Sequence, residues 1–312
     1  MKVLVISGFL GAGKTTFLKE LARRTRRDCA VMENEYGEVS VDGDVLREDA
    51  EKLNIWELTE GCICCTRKSD FAASVLTIAG TVDPQYLIVE PTGVGMLSKV
   101  LESIQKIRYE KIQILSPVTI LDGHSFDRYR REFPEILTDQ IRHAGTVVLS
   151  KMEGADDEDR AKLSDKIRKI NPSAQLCLRP YPEQGDDFFL SLLNRDLSGK
   201  PVSGEASRED LQNLSLTDVS LASPDRLLLF LNGVVSGVFG NIVRAKGCLK
   251  AGDNWLRFDT ADRTYSLTGS APQDESKAVF IGTDLGRSRI REVLQEELTV
   301  SAFRPRQRNC IR

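Results

Sequence analysis

The 312-residue sequence lacks the features that mark several broad classes of protein. It has no run of about 18 apolar residues, the length that a membrane-spanning helix requires. It also has no excess of positive charge, because 43 Lys and Arg stand against 46 Asp and Glu. The resulting net charge of −3 excludes a chain-wide basic surface, so neither nucleic acid nor membrane is expected as a partner. Large-scale disorder is not expected either, since 41% of the residues are hydrophobic and 29% are charged.

Histidine is scarce, and the two present, His124 and His143, do not have the spacing of a metal-binding pair. The first apolar run is too short for a signal peptide and lacks a cleavage site, which predicts a cytoplasmic protein. The seven cysteines are an odd number, and three of them cluster at Cys62, Cys64 and Cys65. In a reducing compartment this clustering favours metal or thiol chemistry over a disulfide framework.

Strand-like and helix-like segments alternate over the first 195 residues. The alternation predicts an α/β fold with a mostly parallel sheet flanked by helices. The predicted strands are 2–7, 29–32, 54–57, 86–90, 114–122, 146–150 and 175–178, and the clearest helical patterns are 15–27, 68–78, 134–144 and 158–170.

The composition changes near residue 196. Residues 196–221 are rich in Ser, Gly, Asp and Asn, which predicts a linker between a first domain at 1–195 and a second at 222–312. The second is predicted as a smaller α+β domain. Its predicted strands are 226–231, 255–259, 265–267 and 277–281, and its predicted helices are 236–245 and 287–297.

The strongest motif follows the first strand, where Gly8 to Thr15 match G-x(4)-G-K-[ST] in full. Such a loop wraps a phosphate with successive backbone N–H groups, and a Cβ at its glycines would obstruct that. The helix that follows directs its positive dipole end at the anion, Lys14 reaches the β- and γ-phosphates, and the Thr15 hydroxyl holds Mg²⁺. The residues predicted to bind a nucleotide here are Gly8, Gly11, Ala12, Gly13, Lys14, Thr15 and Thr16.

A second candidate element is the strand 86–90, which ends in Glu90 and is followed by Pro91-Thr92-Gly93. An acid at the carboxyl end of a neighbouring strand is where a phosphate-loop protein positions its Mg²⁺ shell or catalytic water. Gly93 is predicted to donate its amide to a γ-phosphate. With Lys14, these two residues form the predicted catalytic set, while a plain turn after a strand remains the alternative.

The strand 146–150 is followed by S-K-x-E, formed by Ser150, Lys151 and Glu153. A carboxylate two residues after such a lysine accepts both guanine N–H donors, while the lysine stem stacks on the base. Adenine presents no matching donor pair, so the motif favours guanine. Without the phosphate loop, an ordinary strand-to-helix loop would be the simpler interpretation.

The segment Gly61-Cys62-Ile63-Cys64-Cys65 places three soft ligands within four residues, a pattern suited to Zn²⁺ or another thiophilic ion. Buried structural cysteines and a thiol–disulfide switch are the alternatives. An acidic segment, 33–42, follows the second strand, and its Glu33, Glu38 and Asp42 are candidates for Mg²⁺ or for the thiolate-bound metal. For any single acid, a solvated loop remains the simpler interpretation.

Taken together, these motifs resemble the CobW-like family of P-loop GTPases, within the SIMIBI class that contains several metallochaperones. The segments that carry the resemblance span nearly the whole chain: 8–16, 33–42, 61–65, 90–93 and 150–153, together with 243–247 and 279–282 in the C-terminal part. Three features depart from the family pattern. Glu153 replaces the usual Asp, Pro91 replaces a small polar residue, and no histidine-rich stretch is present.

The resemblance implies GTP binding, slow GTP hydrolysis to GDP, and delivery of Zn²⁺ or Co²⁺ to a client metalloprotein. It implies that Cys62, Cys64 and Cys65 are metal ligands, with Glu33 or Glu38 as auxiliaries. It also implies that Asp42 lies in a first switch near Mg²⁺, and that Glu90 and Gly93 belong to a second. The γ-phosphate would then order both switches and gather the thiolates.

Two other functions share some of these motifs. A P-loop kinase of small molecules would have the same loop and sheet, but it has no need of S-K-x-E or of C-x-C-C. A redox-responsive GTPase would use the cysteines as a reversible disulfide without transferring metal.

Overall fold

A computed structural model describes residues 1–33, 55–59, 68–107, 112–197, 212–261 and 263–295. The chain forms two compact units, Met1–Asn213 and Leu214–Arg312. Within the described ranges, no helix combines the length and the apolar character needed to cross a bilayer.

The first unit is built on a parallel sheet. Its strand order is β3-β2-β4-β1-β6-β7-β8, with the short β5 also paired to β1. Each of these pairings is parallel. The strands are β1 (Lys2–Gly8), β2 (Cys29–Glu33), β3 (Ile55–Thr59), β4 (Tyr86–Glu90), β5 (Gln113–Ile114), β6 (Val118–Asp122), β7 (Thr146–Ser150) and β8 (Gln175–Cys177).

Helices cover both faces of this sheet. This is expected because a strand such as β1 carries apolar side chains on both of its faces. Leu4 and Ile6 of β1 pack with helices α1 and α7, while Val3 and Val5 pack with α2 and α3. The described helices of this unit are α1 (Lys14–Thr25), α2 (Lys68–Thr81), α3 (Leu97–Gln105), α4 (Phe126–Glu132), α5 (Pro134–Arg142), α6 (Asp157–Ile170) and α7 (Asp186–Leu192), with a 3₁₀ turn at Tyr181–Glu183. The predicted fold class, a mostly parallel sheet flanked by helices, is therefore confirmed.

Parallel strands bring their carboxyl ends to one edge of the sheet, and this edge positions the candidate site. Glu33 at the end of β2 is in register with Glu90 at the end of β4 on one side and with Thr59 at the end of β3 on the other. Asp122 and Ser150, the last residues of β6 and β7, are likewise in register.

The second unit has a mainly antiparallel sheet of order β13-β12-β11-β14-β9, with β10 paired parallel to β11. Its core lies between the sheet and two helices, whose buried residues include Leu227, Phe230 and Ile290. The elements are β9 (Gln212–Thr217), β10 (Ser220–Leu221), α8 (Pro224–Val235), β11 (Asn241–Ala251), β12 (Asn254–Ala261), β13 (Thr264–Gly269), β14 (Lys277–Thr283) and α9 (Arg287–Gln295).

Two secondary-structure predictions for this unit are wrong. The predicted strand 226–231 lies inside helix α8, which begins after Ser223, whose Oγ accepts a 3.4 Å hydrogen bond from the Arg226 N–H. Its apolar run continues over exposed positions as well as buried ones, Leu229 being 66% exposed, and this obscured the helical spacing.

The predicted helix 236–245 is instead a turn followed by the start of β11. Gly237 and Gly240 have φ of +81° and +102°, and a Cβ on Gly240 would lie 2.1 Å from the Asp284 oxygen. Two glycines in the left-handed region end a helix, and the β-branched Ile242 and Val243 then favour a strand. Within the segment predicted as a linker, Gln212–Thr217 forms β9 and Ser220–Leu221 forms β10.

Candidate functional site

The loop between β1 and α1 depends on glycine. Gly8 has φ of +146°, and a Cβ there would lie 2.3 Å from the Ile120 carbonyl oxygen. Gly11 and Gly13 have φ of +74° and +90°, in the region that side chains disfavour. Gly13 is the N-cap of α1, so no side chain covers the first N–H groups of that helix. The helix therefore presents its positive dipole end at the loop.

Two hydroxyls hold the back of this loop. The Ser150 Oγ donates to the Ala12 carbonyl oxygen at 2.7 Å, and the Tyr129 hydroxyl donates to that of Leu10 at 3.4 Å. In a trans peptide the C=O and the following N–H point in opposite directions. Because these two carbonyls point toward Ser150 and Tyr129, the N–H groups of Gly13 and Gly11 that follow them point away from those side chains. The ring of Tyr129 also packs on Phe9, with centroids 4.1 Å apart.

Glu90, the last residue of β4, contacts the residues that follow the glycine loop. Its Oε1 and Oε2 accept hydrogen bonds from the Thr15 hydroxyl at 3.2 and 3.3 Å, and its Oε1 lies 3.8 Å from the Lys14 Nζ. Lys14 is 7% exposed and Glu90 12%, so these charges face each other where water screens them weakly. A hydroxyl and a carboxylate supply the oxygen ligands that Mg²⁺ prefers.

Gly93 packs directly on the phosphate loop. A Cβ at this position would lie 2.5 Å from the Leu10 backbone nitrogen and 2.8 Å from its Cα. The turn that contains Gly93 is closed by a hydrogen bond of 2.8 Å from the Gly95 N–H to the Thr92 carbonyl oxygen. The Gln140 side chain donates to the carbonyl oxygens of Gly93 and Gly95.

The S-K-x-E segment lies at the end of β7. Lys151 has φ of +54°, and its Nζ lies 3.1 Å from Oδ2 of Asp122. Asp122 is buried at the end of β6 and also accepts a 3.1 Å hydrogen bond from the Ser125 N–H. Glu153 is exposed. This arrangement holds the lysine head while leaving the carboxylate of Glu153 open to solvent.

Asp122 and Gln140 were missed by the sequence analysis. Asp122 is an acid at the end of a buried strand, and so is Glu90. That shared pattern is the signal that could have identified Asp122. Gln140 lies inside an ordinary amphipathic helix, α5, and the sequence contains no signal for its contact with the turn after β4.

The predicted transition-metal ligands Cys62, Cys64, Cys65 and Glu38, and the predicted magnesium ligand Asp42, lie outside the described residues. Glu33 ends β2, on the same sheet edge as Glu90. Among the described residues no group of three His, Cys, Asp or Glu side chains has a metal-binding arrangement. Burial raises the pKa of the Cys29 thiol to about 12 and that of Cys177 to about 11, so both remain protonated at neutral pH.

Of the remaining predicted residues, Thr16 is exposed in the first turn of α1, whereas Lys14 is buried and Thr15 is half-buried. The described geometry thus brings the ends of β4 and β7 to the loop that follows β1. Lys14, Thr15 and Glu90 contact one another, while Gly93 and Ser150 contact the loop backbone.

Comparison with known proteins finds two family models that match the chain. Residues 2–177 match the CobW/HypB/UreG nucleotide-binding domain, and residues 211–298 match the cobalamin synthesis protein cobW C-terminal domain. The chain is 27% identical over 314 residues to the zinc chaperone YjiA of Escherichia coli, covering 93% of this chain and 96% of that protein.

A second relative is the zinc chaperone YeiR of Escherichia coli, 29% identical over 233 residues, covering 73% of this chain and 70% of that protein. Among solved structures, Zn(II)-bound YjiA GTPase from Escherichia coli aligns with a TM-score of 0.46 at 21% identity, covering 94% of this chain and 97% of that one.

Proposed function

Because the chain belongs to the CobW/HypB/UreG family, we propose that it is a GTP-hydrolysing metallochaperone that delivers a transition metal to a client metalloprotein. The relatives named zinc chaperone and zinc-regulated GTPase metalloprotein activator support this function. The observation that carries it for this chain is the meeting of Glu90 with both Lys14 and Thr15. An acid, a lysine and a hydroxyl at the head of a glycine loop form the machinery of phosphoryl transfer.

The residues fit a nucleotide and Mg²⁺. The loop carries glycines with positive φ where a Cβ would be strained, and the N–H groups of Gly11 and Gly13 are turned outward from their support. Thr15 and Glu90 would hold Mg²⁺, which neutralises charge on the phosphates when it is bound. Lys14 would bind the β- and γ-phosphates, and Gly93 would present its amide to the γ-phosphate.

Base recognition is assigned to the segment after β7. Asp122 holds the Lys151 ammonium, so the lysine stem is available to stack on a planar base. The Glu153 carboxylate would accept the two N–H donors of guanine. This pairing supports GTP over ATP as the nucleotide.

The metal cargo is assigned to Cys62, Cys64 and Cys65, with Zn²⁺ or Co²⁺ as candidates. The strand that leads into this segment, β3, ends at Thr59, two strands away from Glu90 on the same sheet edge. At the usual spacing of strands, this puts Thr59, three residues before Cys62 in the sequence, about 10 Å from Glu90. Such proximity supports a coupling in which an ordered triphosphate pocket raises metal affinity and hydrolysis lowers it.

Calorimetric titration of GTP, GDP and ATP, each with and without Zn²⁺ or Co²⁺, tests the proposal. A hundredfold change in metal affinity corresponds to about 2.7 kcal/mol of coupling, and the metal must then tighten GTP binding by the same factor. Equal metal affinity in the GTP and GDP states would exclude the coupled mechanism. Absence of nucleotide binding would exclude the function as a whole.

A further inference from the structure

Helix α5 contacts the turn after β4 through a fully buried amide. The Nε2 of Gln140 donates to the Gly93 carbonyl oxygen at 3.1 Å and to that of Gly95 at 3.0 Å. A primary amide has two N–H donors, and both are used on this one turn. The Gln140 Oε1, by contrast, is buried without a hydrogen-bond partner among the described residues.

Burying this amide with its oxygen unpaired lowers the stability of the fold. Its presence is explained if the turn requires the two hydrogen bonds that the amide donates. A buried acceptor without a partner destabilises the fold, and removing Gln140 would take a donor from each of two glycine carbonyls. The helix is anchored in turn, because the Thr119 Oγ1 of β6 donates to the Gln140 backbone oxygen at 2.9 Å. Gln140 therefore links a fixed part of the sheet to the turn.

The neighbouring residue of α5 holds the next segment of the chain. Oδ2 of Asp139 accepts a 3.1 Å hydrogen bond from the Ser98 N–H in the first turn of α3. Two adjacent side chains of one helix thus hold the stretch from Gly93 to Ser98. On its other side Gly93 packs against the Leu10 backbone of the phosphate loop, so the turn lies between the loop and α5.

We propose that Gln140 is a positioning residue for the nucleotide reaction, which holds Gly93 against the phosphate loop where its amide meets the γ-phosphate. This inference rests on the proposed GTPase function. GDP lacks the γ-phosphate, so the contact made by Gly93 distinguishes the two nucleotides. Loss of the Gln140 amide should therefore weaken binding of GTP and leave binding of GDP nearly unchanged.

The test compares Gln140→Met with a control at Asn171, the residue that follows helix α6. Asn171 is also a buried amide, and its Nδ2 donates to the carbonyl oxygens of Ile141, Arg142 and Ala144 at 2.8–3.0 Å. Gln140→Met should weaken binding of a non-hydrolysable GTP analogue roughly tenfold, with GDP binding changed less than about twofold. Asn171→Leu should lower thermal stability without changing the ratio of the two affinities.

A ratio unchanged in Gln140→Met, or changed equally in Asn171→Leu, would overturn the inference. If the wild type binds no nucleotide, the proposed function fails and the inference fails with it. If the wild type binds GTP and GDP normally, but the ratio of the two affinities is the same in Gln140→Met, only the inference fails.

A measurement on the wild type covers the case in which Gln140→Met does not fold. The side-chain amide protons of Gln140 and Asn171 can be followed by NMR in the GDP state and in the GTP-analogue state. Those of Gln140 should shift between the two states, while those of Asn171 should not. Identical Gln140 signals in both states would overturn the inference.

Discussion

The two sheets of this chain differ in the direction of their strands, and that difference decides where polar side chains gather. In the first sheet neighbouring strands are parallel. The strands that end at Glu90, Asp122 and Ser150 therefore have their carboxyl ends on the same edge as the glycine loop. In the second sheet β11 runs antiparallel to both β12 and β14, so consecutive strand ends fall on opposite edges. A parallel sheet thus concentrates strand ends, which an antiparallel sheet distributes.

A pair of buried lysines makes the comparison specific. Lys14 and Lys246 are 7% and 8% exposed, so burial alone does not distinguish them. Lys14 opens a helix after a glycine loop, and its Nζ lies 3.8 Å from Glu90. Lys246 lies in the middle of β11, in register with Asp259 of β12. We infer that the place where strand ends converge marks the candidate site, and that burial of a lysine alone does not mark one.

The largest expected effect is that of Lys14→Ala. GTP turnover should fall by about a hundredfold or more, because a preorganised positive donor near the transferred phosphate is lost. Lys246→Ala is the matched control. It should lower the stability of the second unit and leave turnover per folded molecule unchanged, as measured by phosphate release. Full activity in Lys14→Ala would refute the phosphate-loop assignment, and equal losses in both variants would remove the distinction between the sheets.

The second prediction concerns the cysteines. Cys64→Ala should weaken Zn²⁺ binding, measured by competition with a chromophoric chelator, far more than it weakens GTP binding. Cys177→Ala is the control, because Cys177 is buried and its pKa is raised to about 11. If both variants lose the same amount of metal affinity, the clustered cysteines are not the binding site. Thiol titration adds a second readout, since bound Zn²⁺ should protect three thiols.

A smaller effect is expected at the base-recognition segment. Glu153→Ala removes an acceptor for the two guanine donors, so GTP affinity should fall about tenfold while ATP affinity stays constant. The control is Glu158→Ala in the first turn of α6, which should change neither. Parallel loss of GTP and ATP affinity in Glu153→Ala would show that this carboxylate does not read the base.

The parts of the fold that the sequence predicted are those where local pattern and tertiary environment agree. Strand 146–150 was predicted with its observed bounds, because its apolar residues lie between sharp breaks at both ends. The family assignment, which was drawn from motifs, is confirmed by the matches over both parts of the chain. The predictions failed at α8, where an exposed Leu229 extends an apolar run that tertiary contacts do not require.

Within the candidate site, the sequence predicted residues that stand in local patterns, and the structure brings three of them into contact. Lys14 and Thr15 follow a glycine pattern, and Glu90 follows an apolar strand. It missed Asp122 and Gln140, because their roles depend on partners far along the chain, at Lys151 and at Gly93. Contacts of that kind arise only when the sheet is assembled. The acid at the end of a buried strand was a local signal for Asp122, but no local pattern marks Gln140.

The smallest expected effect is a pH dependence of stability that belongs to the first unit alone. The Nδ1 of His143 lies 3.2 Å from Oδ1 of Asp139. The hydrogen bond to Asp139 raises the pKa of His143 above its ordinary value of 6.5, although burial opposes this. Burial would raise the pKa of Asp139, but the bonds from His143 and Ser98 outweigh it and lower that pKa below 3.8.

The signs of the two shifts define where this pair stabilises the fold. A raised histidine pKa gives stability that is complete below about pH 6.5 and is lost as the pH rises through the raised value. A lowered carboxyl pKa gives stability that is present above about pH 4 and is lost on further acidification. The difference in unfolding free energy between wild type and His143→Gln should therefore be greatest near pH 5–6, at no more than about 1 kcal/mol, and should shrink toward pH 8.5.

Each unit carries one of the two tryptophans, Trp56 and Trp255, which allows their unfolding to be followed separately. In a Trp255→Phe background, where Trp56 reports on the first unit, His143→Gln should show this pH-dependent difference. In a Trp56→Phe background it should not. A difference that stays constant from pH 5 to 8.5 would mean that His143 contributes only as a neutral hydrogen-bond donor, because only a change of protonation makes the contribution depend on pH.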